Sequence, residues 1–428
     1  MSIRKETKEL LEAEIITEET AEKIKEYYKN KTSSASSDTL FSVFAVLGAL
    51  SAGLGIILLI ARNWDDIPRK IQTILAFIPL LIGQFTAGYI LLKKQNSIAA
   101  KESSAVFLFL SAGANLSLIS LIYNISESTA DFLFTWLLLV LPVIYIMKSS
   151  ASAILYIFLI TYYAVATGYG HRSENTFNFY WIFIASILPF YYRLIKKEPE
   201  SNYIVFFNWI IPVSLIISLG IWADNFDLIM FPAYMSFFGL LSATGNTPYF
   251  SDKKNLHNSY KIIGAAGLAV ILLITSFGFF ENELRKIPGD SANFLYSPEF
   301  AVSILITAAA LTVNILFSAN KKLSGINILN ISYLIFFIMF FAGMYFPGFR
   351  ISVNILILII GILLIKQGSE QNSIGILNFG LIIISALIIC RFFDTDLSFI
   401  IKGILFISAG AGFFSANYMM LKKRKQND

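Results

Sequence analysis

The sequence predicts an all-α polytopic membrane protein, with about fourteen transmembrane helices behind a short cytosolic helical hairpin. Three observations carry that expectation. Only 14% of the 428 residues are Asp, Glu, Lys or Arg, against about 25% in a soluble domain. Hydrophobic residues make up 56%, including 39 Phe and 20 Tyr, and the mean hydropathy is +0.68. Apolar runs long enough to cross a bilayer recur along the whole chain. A soluble chain of this length forms about three domains and needs a charged surface to cover them, for which these charges are too few. The composition excludes a disordered protein, a coiled coil and an ordinary cytosolic enzyme.

Residues 1–38 form the cytosolic piece. Ile3, Leu10 and Leu11 fall on one helical face, and Glu14-Ile15-Ile16 breaks the pattern. Thr17 can N-cap a second helix, and Glu18 and Glu19 in its first turn favour the helix dipole. Ala21, Ile24 and Tyr28 recur at helical spacing along it. The stretch 31–38, rich in Ser and Thr, reads as a flexible linker. A hairpin this short cannot bury a core alone. It therefore docks on the membrane domain, on a partner protein or on a second copy, with residues 1–30 as the contact. The charged N-terminus is not a signal peptide, because the first apolar run starts only near Leu40 and is too long for a cleaved segment.

The membrane domain spans 39–421, and 422–428 is a basic cytosolic tail. The apolar stretches are 40–61, 71–92, 104–123, 132–147, 153–168, 177–192, 203–223, 228–244, 262–280, 300–318, 325–346, 351–365, 374–390 and 398–421. The fourth, fifth, sixth and twelfth are short and need their flanking residues, or a thinner bilayer, to cross. Each reads as a helix, because backbone groups in lipid must be satisfied within the segment.

The basic residues test this arrangement. With the N-terminus in the cytoplasm and alternating sides, 24 of the 33 Lys and Arg lie in cytoplasmic segments and 8 on the opposite side. A threefold bias in register with the spans is what the positive-inside rule requires. It predicts both termini in the cytoplasm, and the expected membrane is a bacterial inner one. Because the basic clusters sit at helix ends on one side, contact with anionic lipid explains them more simply than nucleic acid does.

Two polar loops stand out on the outer side. The first is Arg62-Asn63-Trp64-Asp65-Asp66, followed by Arg69-Lys70. Trp64 suits an interfacial anchor, Asn63 a helix cap, and Asp65 and Asp66 can pair with Arg69 or Lys70. The same carboxylates could instead bind a cation or a sugar-like head group. The second loop carries Arg391, Asp394 and Asp396, with Lys402 about one turn inside the last span. A lysine there must snorkel or pair, and either aspartate is in reach. The two loops share a side, so Trp64, Asp65, Arg391, Asp394 and Lys402 could also form one pocket.

The spans carry no Asp or Glu near their middles, which lowers the expectation of proton coupling but leaves sodium coupling through carbonyl and hydroxyl oxygens. They hold amides instead: Gln84, Asn115, Asn208, Asn314, Asn327, Asn330, Asn354, Asn378 and Asn417. These are expected to bond helix to helix. Prolines fall inside spans at Pro79, Pro142, Pro189, Pro212 and Pro232. Small residues around Gly48–Gly55 and Gly403–Gly412 suit close helix packing. With one Cys, and with His171 and His257 in separate loops, a Cys/His metal site is not expected. No nucleotide or zinc-protease motif is present, and no cofactor or catalytic residue is assigned.

Two stretches together resemble a known family. The first is the hairpin followed by Gly53-Leu-Gly55 and Ala61-Arg-Asn63-Trp64-Asp65-Asp66-Ile67-Pro68. The second is Leu377-Asn378-Phe-Gly380 leading to Arg391-Phe-Phe-Asp394 and Lys402-Gly403-Ile-Leu-Phe406. Both resemble the bacterial predicted membrane proteins that begin with domain of unknown function 2157. The resemblance implies a cytosolic hairpin before the first span, and no activity. Function is therefore expected from the architecture. The leading reading is a transporter or flippase-like protein for a small or lipid-linked solute. The alternatives are an envelope enzyme acting on a lipid-linked substrate at the outer face, and a scaffold or sensor that uses its hairpin.

Overall fold

The computed structural model describes residues 67–94, 96–126, 128–169, 179–223, 226–251, 257–287, 292–318, 329–371 and 373–394, with shorter pieces within 11–24, 43–55 and 400–414. Among the described residues every regular element is helical. Nine helices there are long and apolar enough to cross a membrane, or ten if a sharply bent pair counts as one span. The all-α membrane architecture is thus observed.

The main helices are α1 (Arg69–Lys93), α2 (Ile98–Tyr123), α3 (Thr129–Met147), α4 (Ser150–Gly168), α5 (Tyr180–Lys197), α6 (Asn202–Leu219), α7 (Met230–Gly245), α8 (Ser259–Thr275), α9 (Gly278–Leu284), α10 (Pro298–Ser318), α11 (Leu329–Tyr345), α12 (Phe349–Glu370) and α13 (Ile374–Asp394). Each apolar stretch from 71–92 to 374–390 coincides with one of these helices or with the pair α8 and α9. The stretches 40–61 and 398–421 are described only in part, with Val43–Ala52 helical, so the expected fourteenfold crossing extends beyond the described residues.

The stretches that looked short are longer as helices. The helices α3 and α4 have 19 residues each, α5 has 18 and α12 has 22. Hydropathy undercounts them because their ends are polar. Ser128 caps α3 by accepting the Asp131 N–H, and Ser149 caps α4 by accepting the Ser152 N–H. Lys196 and Lys197 occupy the last turn of α5, where cations favour the helix dipole. Near the N-terminus a helix covers 18–24, and the Thr17 hydroxyl accepts the Thr20 N–H at 3.4 Å, as the capping argument expects.

The chain divides into two compact units, Met1–Pro199 and Glu200–Asp428. In the first, helices pack against their neighbours in sequence. Asn115 on α2 donates to the Ala76 carbonyl on α1 at 3.0 Å. On α3, Leu133, Leu137, Val140, Ile144 and Met147 are buried. Their alternating spacing of four and three is the seam of a knobs-into-holes contact. Ala153, Tyr156, Ile157, Ile160 and Ala164 form the buried face of α4, which packs on α3.

In the second unit α7 is central, with 72% of its span buried, and α8, α10 and α11 surround it. Gly264 lets α8 approach closely, because a Cβ there would lie 2.4 Å from the Ser242 nitrogen on α7. Phe280, Phe336, Phe340 and Phe349 form an aromatic core between α9, α11 and α12. The glycines singled out from sequence behave differently. Around Gly48, Gly55, Gly403, Gly410 and Gly412 a Cβ would meet nothing within 4 Å among the described residues.

The membrane character is clearest on α10. Its buried face carries Glu299, Ser303 and Ala310, while Ile304, Leu305, Leu311, Ile315 and Leu316 are exposed. A helix in water arranges these the other way round. Apolar residues outward and polar residues inward is the arrangement that lipid demands.

Candidate functional site

The stretch 262–280, expected as one straight span, is broken. The axes of α8 and α9 differ by 80° across Ser276 and Phe277. The local sequence accounts for the break. Thr275 and Ser276 turn their hydroxyls back onto the Ile271 and Leu273 carbonyls, at 2.8 and 2.6 Å, which competes with continuation of the helix. Phe277 is extended at φ −79 and ψ 150, and α9 starts at the next residue, Gly278.

Two arginines from other helices reach this break. Arg391, in the last turn of α13, donates through Nη2 to the Ser276 hydroxyl at 3.0 Å. Its guanidinium carbon lies 5.1 Å from the Phe277 ring centroid, a cation–π contact. Arg350, in the first turn of α12, places Nη1 2.8 Å from where a Gly278 Cβ would stand, so a side chain at 278 would displace it. Glu281 on α9 completes the group. Its carboxylate accepts the N–H of Gly348 at 2.7 Å and of Arg350 at 3.2 Å, and so caps α12 from a neighbouring helix. Gly348 holds φ +104, a conformation that disfavours side chains. The break is thereby fixed between α12 and α13, with two cationic groups and one anionic group around it. Such a cluster can hold an anionic group beside the two helix ends.

Two further carboxylates are buried near helix ends. Glu102, 3% exposed, accepts the N–H groups of Ser150 and Ala151 at 2.9 and 3.0 Å and the Ser149 hydroxyl, all at the start of α4. Glu299, 0% exposed at the start of α10, accepts the Phe226 N–H at 3.0 Å. Neither lies mid-span, in line with the sequence expectation. Reading the sequence missed Glu102, Glu281 and Glu299 as functional groups. Their signal was faint: each is a Glu at the edge of an apolar run, and its partner lies 47 to 73 residues away.

Of the residues singled out from sequence, Asn63, Trp64, Asp65, Asp66 and Lys402 lie outside the described residues. Asp394 is the last residue of α13, and its side chain lies outside them too. Arg391 and Asp394 were expected in a loop. Instead α13 runs through both, which aims Arg391 at the α8–α9 break. The envelope-enzyme reading rests on Asp65 and Asp66, and the scaffold reading on residues 1–30, which lie largely outside the described residues. Among the described residues no group of three or more His, Cys, Asp or Glu could hold a metal.

Several amides bond between helices, as expected. Asn314 on α10 donates to the Asn330 carbonyl and Tyr333 hydroxyl on α11, both at 3.2 Å. The Asn330 side-chain oxygen accepts the Ser242 hydroxyl at 3.1 Å. Asn354 instead donates to the Arg350 carbonyl in its own helix, at 2.7 Å.

Residues 8–153 match the family described as predicted membrane protein (DUF2157). That match covers about a third of the chain, from the hairpin to the start of α4. It bears out the family resemblance there, and the C-terminal stretch from Leu377 lies outside it. No curated protein and no solved structure matches the chain.

Proposed function

We propose that this integral membrane protein is a transporter or flippase-like protein that moves a small or lipid-linked solute. The observation that carries the reading is the 80° break between α8 and α9. Discontinuous helices line the substrate sites of many transporters, because the break frees backbone groups inside the protein. Arg391 and Arg350 at the break supply positive charge for an anionic solute or head group. Deeper along these helices, Ala269, Leu272, Leu329, Ile357, Ile360 and Ile383 line a small apolar crevice between α8, α11, α12 and α13, with room for about one water-sized group. Prolines inside α1, α3, α5 and α6 each remove one helix hydrogen bond and so give points at which such helices can bend. The charge bias of 24 basic residues against 8 supports both termini inside, and the match to a family of predicted membrane proteins is compatible with a bacterial cytoplasmic membrane.

The test is reconstitution of the full-length protein into vesicles. Two probes are followed: a fluorescent anionic phospholipid, by quenching of its outer pool, and a panel of small labelled anions, by uptake. The reading expects one probe to cross faster than in protein-free vesicles, and Arg391→Ala to slow it by at least about tenfold, the loss expected for one charge-assisted contact. Wild-type vesicles that move neither kind of probe overturn the reading.

A further inference from the structure

The prolines inside the spans carry an inference beyond the break. A proline has no N–H, so the carbonyl four residues before it loses its helix partner. The next rung, from the residue after the proline to the carbonyl three before it, lies against the ring and is weakened as well. In lipid such groups must find another donor. Pro212 sits inside α6, and the carbonyl four residues before it is that of Asn208. The Ser259 hydroxyl of α8 donates to that carbonyl at 2.6 Å, and both residues are buried. Pro79 sits inside α1. The carbonyl of Ala76, three residues before it, accepts the Asn115 amide of α2 at 3.0 Å, again between buried residues.

Pro189 in α5 shows the arrangement most completely. The Tyr145 hydroxyl, from α3, donates to the Ser186 carbonyl, three residues before the proline. The same oxygen takes a hydrogen bond from the Phe190 backbone N–H. In an unbroken helix that N–H would bond the Ser186 carbonyl directly. The phenol therefore stands in the rung and bridges its two ends. Ser186 weakens the turn further, because its own hydroxyl donates to the Phe183 carbonyl at 2.6 Å. We propose that Asn115, Tyr145 and Ser259 are latches on proline hinges in α1, α5 and α6, and that releasing a latch frees the helix beyond its proline to move.

Three donors of different chemistry, an amide, a phenol and a serine hydroxyl, reach the same weak place in three helices. An interior carbonyl is ordinarily held by its own helix, whatever the neighbours do. At these prolines a side chain of another helix supplies the bond instead, so local rigidity depends on that one tertiary contact. In α5 the part beyond the hinge is the last two turns, which end at Lys196 and Lys197. Tyr145 itself stands three residues past Pro142 of α3. Bending α3 at its own proline withdraws the phenol from α5, which couples the two helices. The latches do not rest on the transport reading.

Amide hydrogen exchange of the full-length protein in detergent tests each latch. Tyr145→Phe removes only the hydroxyl and keeps the ring against Phe190, 6.1 Å between centroids, so the variant keeps its packing. Exchange at Phe190–Arg193 is expected to rise by about tenfold, the effect of one buried hydrogen bond lost locally, while the rest of the unit stays unchanged. Ser259→Ala should do the same at Val213–Ile216, and Asn115→Leu at Leu80–Gly83. An ordinary bond between helices would give the same loss with or without a proline. Each variant is therefore repeated with Pro189→Ala, Pro212→Ala or Pro79→Ala, which restores the N–H. There the rise should shrink to less than about twofold, because the ladder closes on itself and the two sites are coupled. Exchange that stays at the wild-type rate in Tyr145→Phe or in Ser259→Ala overturns the proposal. So does a rise that is as large in the alanine background, or one spread evenly over the whole unit. A protein that moves no solute in vesicles but shows these local rises would retire the transport reading and keep the latches.

Discussion

Replacing Glu102 with Ala is expected to destabilise the first unit by about 3 kcal/mol, the sum of the groups it leaves without an acceptor. The carboxylate bridges α2 to the start of α4. One oxygen accepts the Ser150 N–H at 2.9 Å, and the other accepts the Ala151 N–H at 3.0 Å and the Ser149 hydroxyl. Ser149 and Ser150 are buried with it, at 0% and 5% exposure, so bulk water does not take its place. Each orphaned buried N–H costs about 1 to 3 kcal/mol. Ser149 also caps α4 through the Ser152 N–H, and a hydroxyl released from Glu102 can turn to recover part of that loss. Glu102→Gln should cost only about 1 kcal/mol, one lost hydrogen bond. Its carbonyl keeps one N–H, and Ser149 can accept from its amide. Thermal unfolding of the full-length protein in detergent is the assay. At about 2 to 4 °C per kcal/mol for a unit of this size, the Ala variant should melt some ~6 to 12 °C lower and the Gln variant ~2 to 4 °C lower. An Ala variant within about 2 °C of wild type would refute the capping argument. A Gln variant as damaged as the Ala variant would show that charge, and not acceptor geometry, holds α4.

Two further predictions concern packing and lipid. A Cβ at Gly113 would stand 2.3 Å from the Trp136 ring, which is pinned by its own bond to the Phe109 carbonyl at 3.0 Å. Gly113→Val should therefore cost about 2 kcal/mol or more through overpacking of α2 on α3, and Trp fluorescence during unfolding would show whether the contact is lost first. Leu305 is 69% exposed on the apolar face of α10. Leu305→Ala should be near neutral, whereas Leu305→Arg should cost about 3 kcal/mol in a bilayer. An Arg variant as stable as the Ala variant would show that this face meets water.

Much of the architecture was legible because lipid imposes a one-dimensional rule. Every backbone group of a span must be satisfied within it, so an apolar run such as 104–123 or 374–390 has one outcome. The errors fell where that rule is silent. Polar first turns, such as those capped by Ser128 and Ser149, are helical although hydropathy excludes them. The break at Ser276–Phe277 sits in an apolar run that gives no warning of it. Its cause includes hydroxyls that turn back on the helix and an Arg391 that arrives from 115 residues away. The candidate site was legible only in part. Arg391 was singled out, but its loop partners lie outside the described residues, and its observed contacts come from another helix. Tyr145 drew no notice, since one tyrosine in a span means nothing until its surroundings are known.

The amino-acid sequence by itself determined the class of the molecule, the places of its helices and the expected side of each loop. Those follow from local composition, hydropathy and charge, which act on each segment separately. It also named Asn115, Asn314 and Asn330, which join helices, because a polar group in a span must find a neighbour, although Asn354 finds its own within its helix. Tertiary structure alone decided which neighbour. It set Glu102 over the start of α4, Glu281 over the start of α12, and Tyr145 beside the proline of α5. The physical reason is that burial and hydrogen bonding depend on distances between residues far apart in the chain. Those distances arise only once the helices have packed.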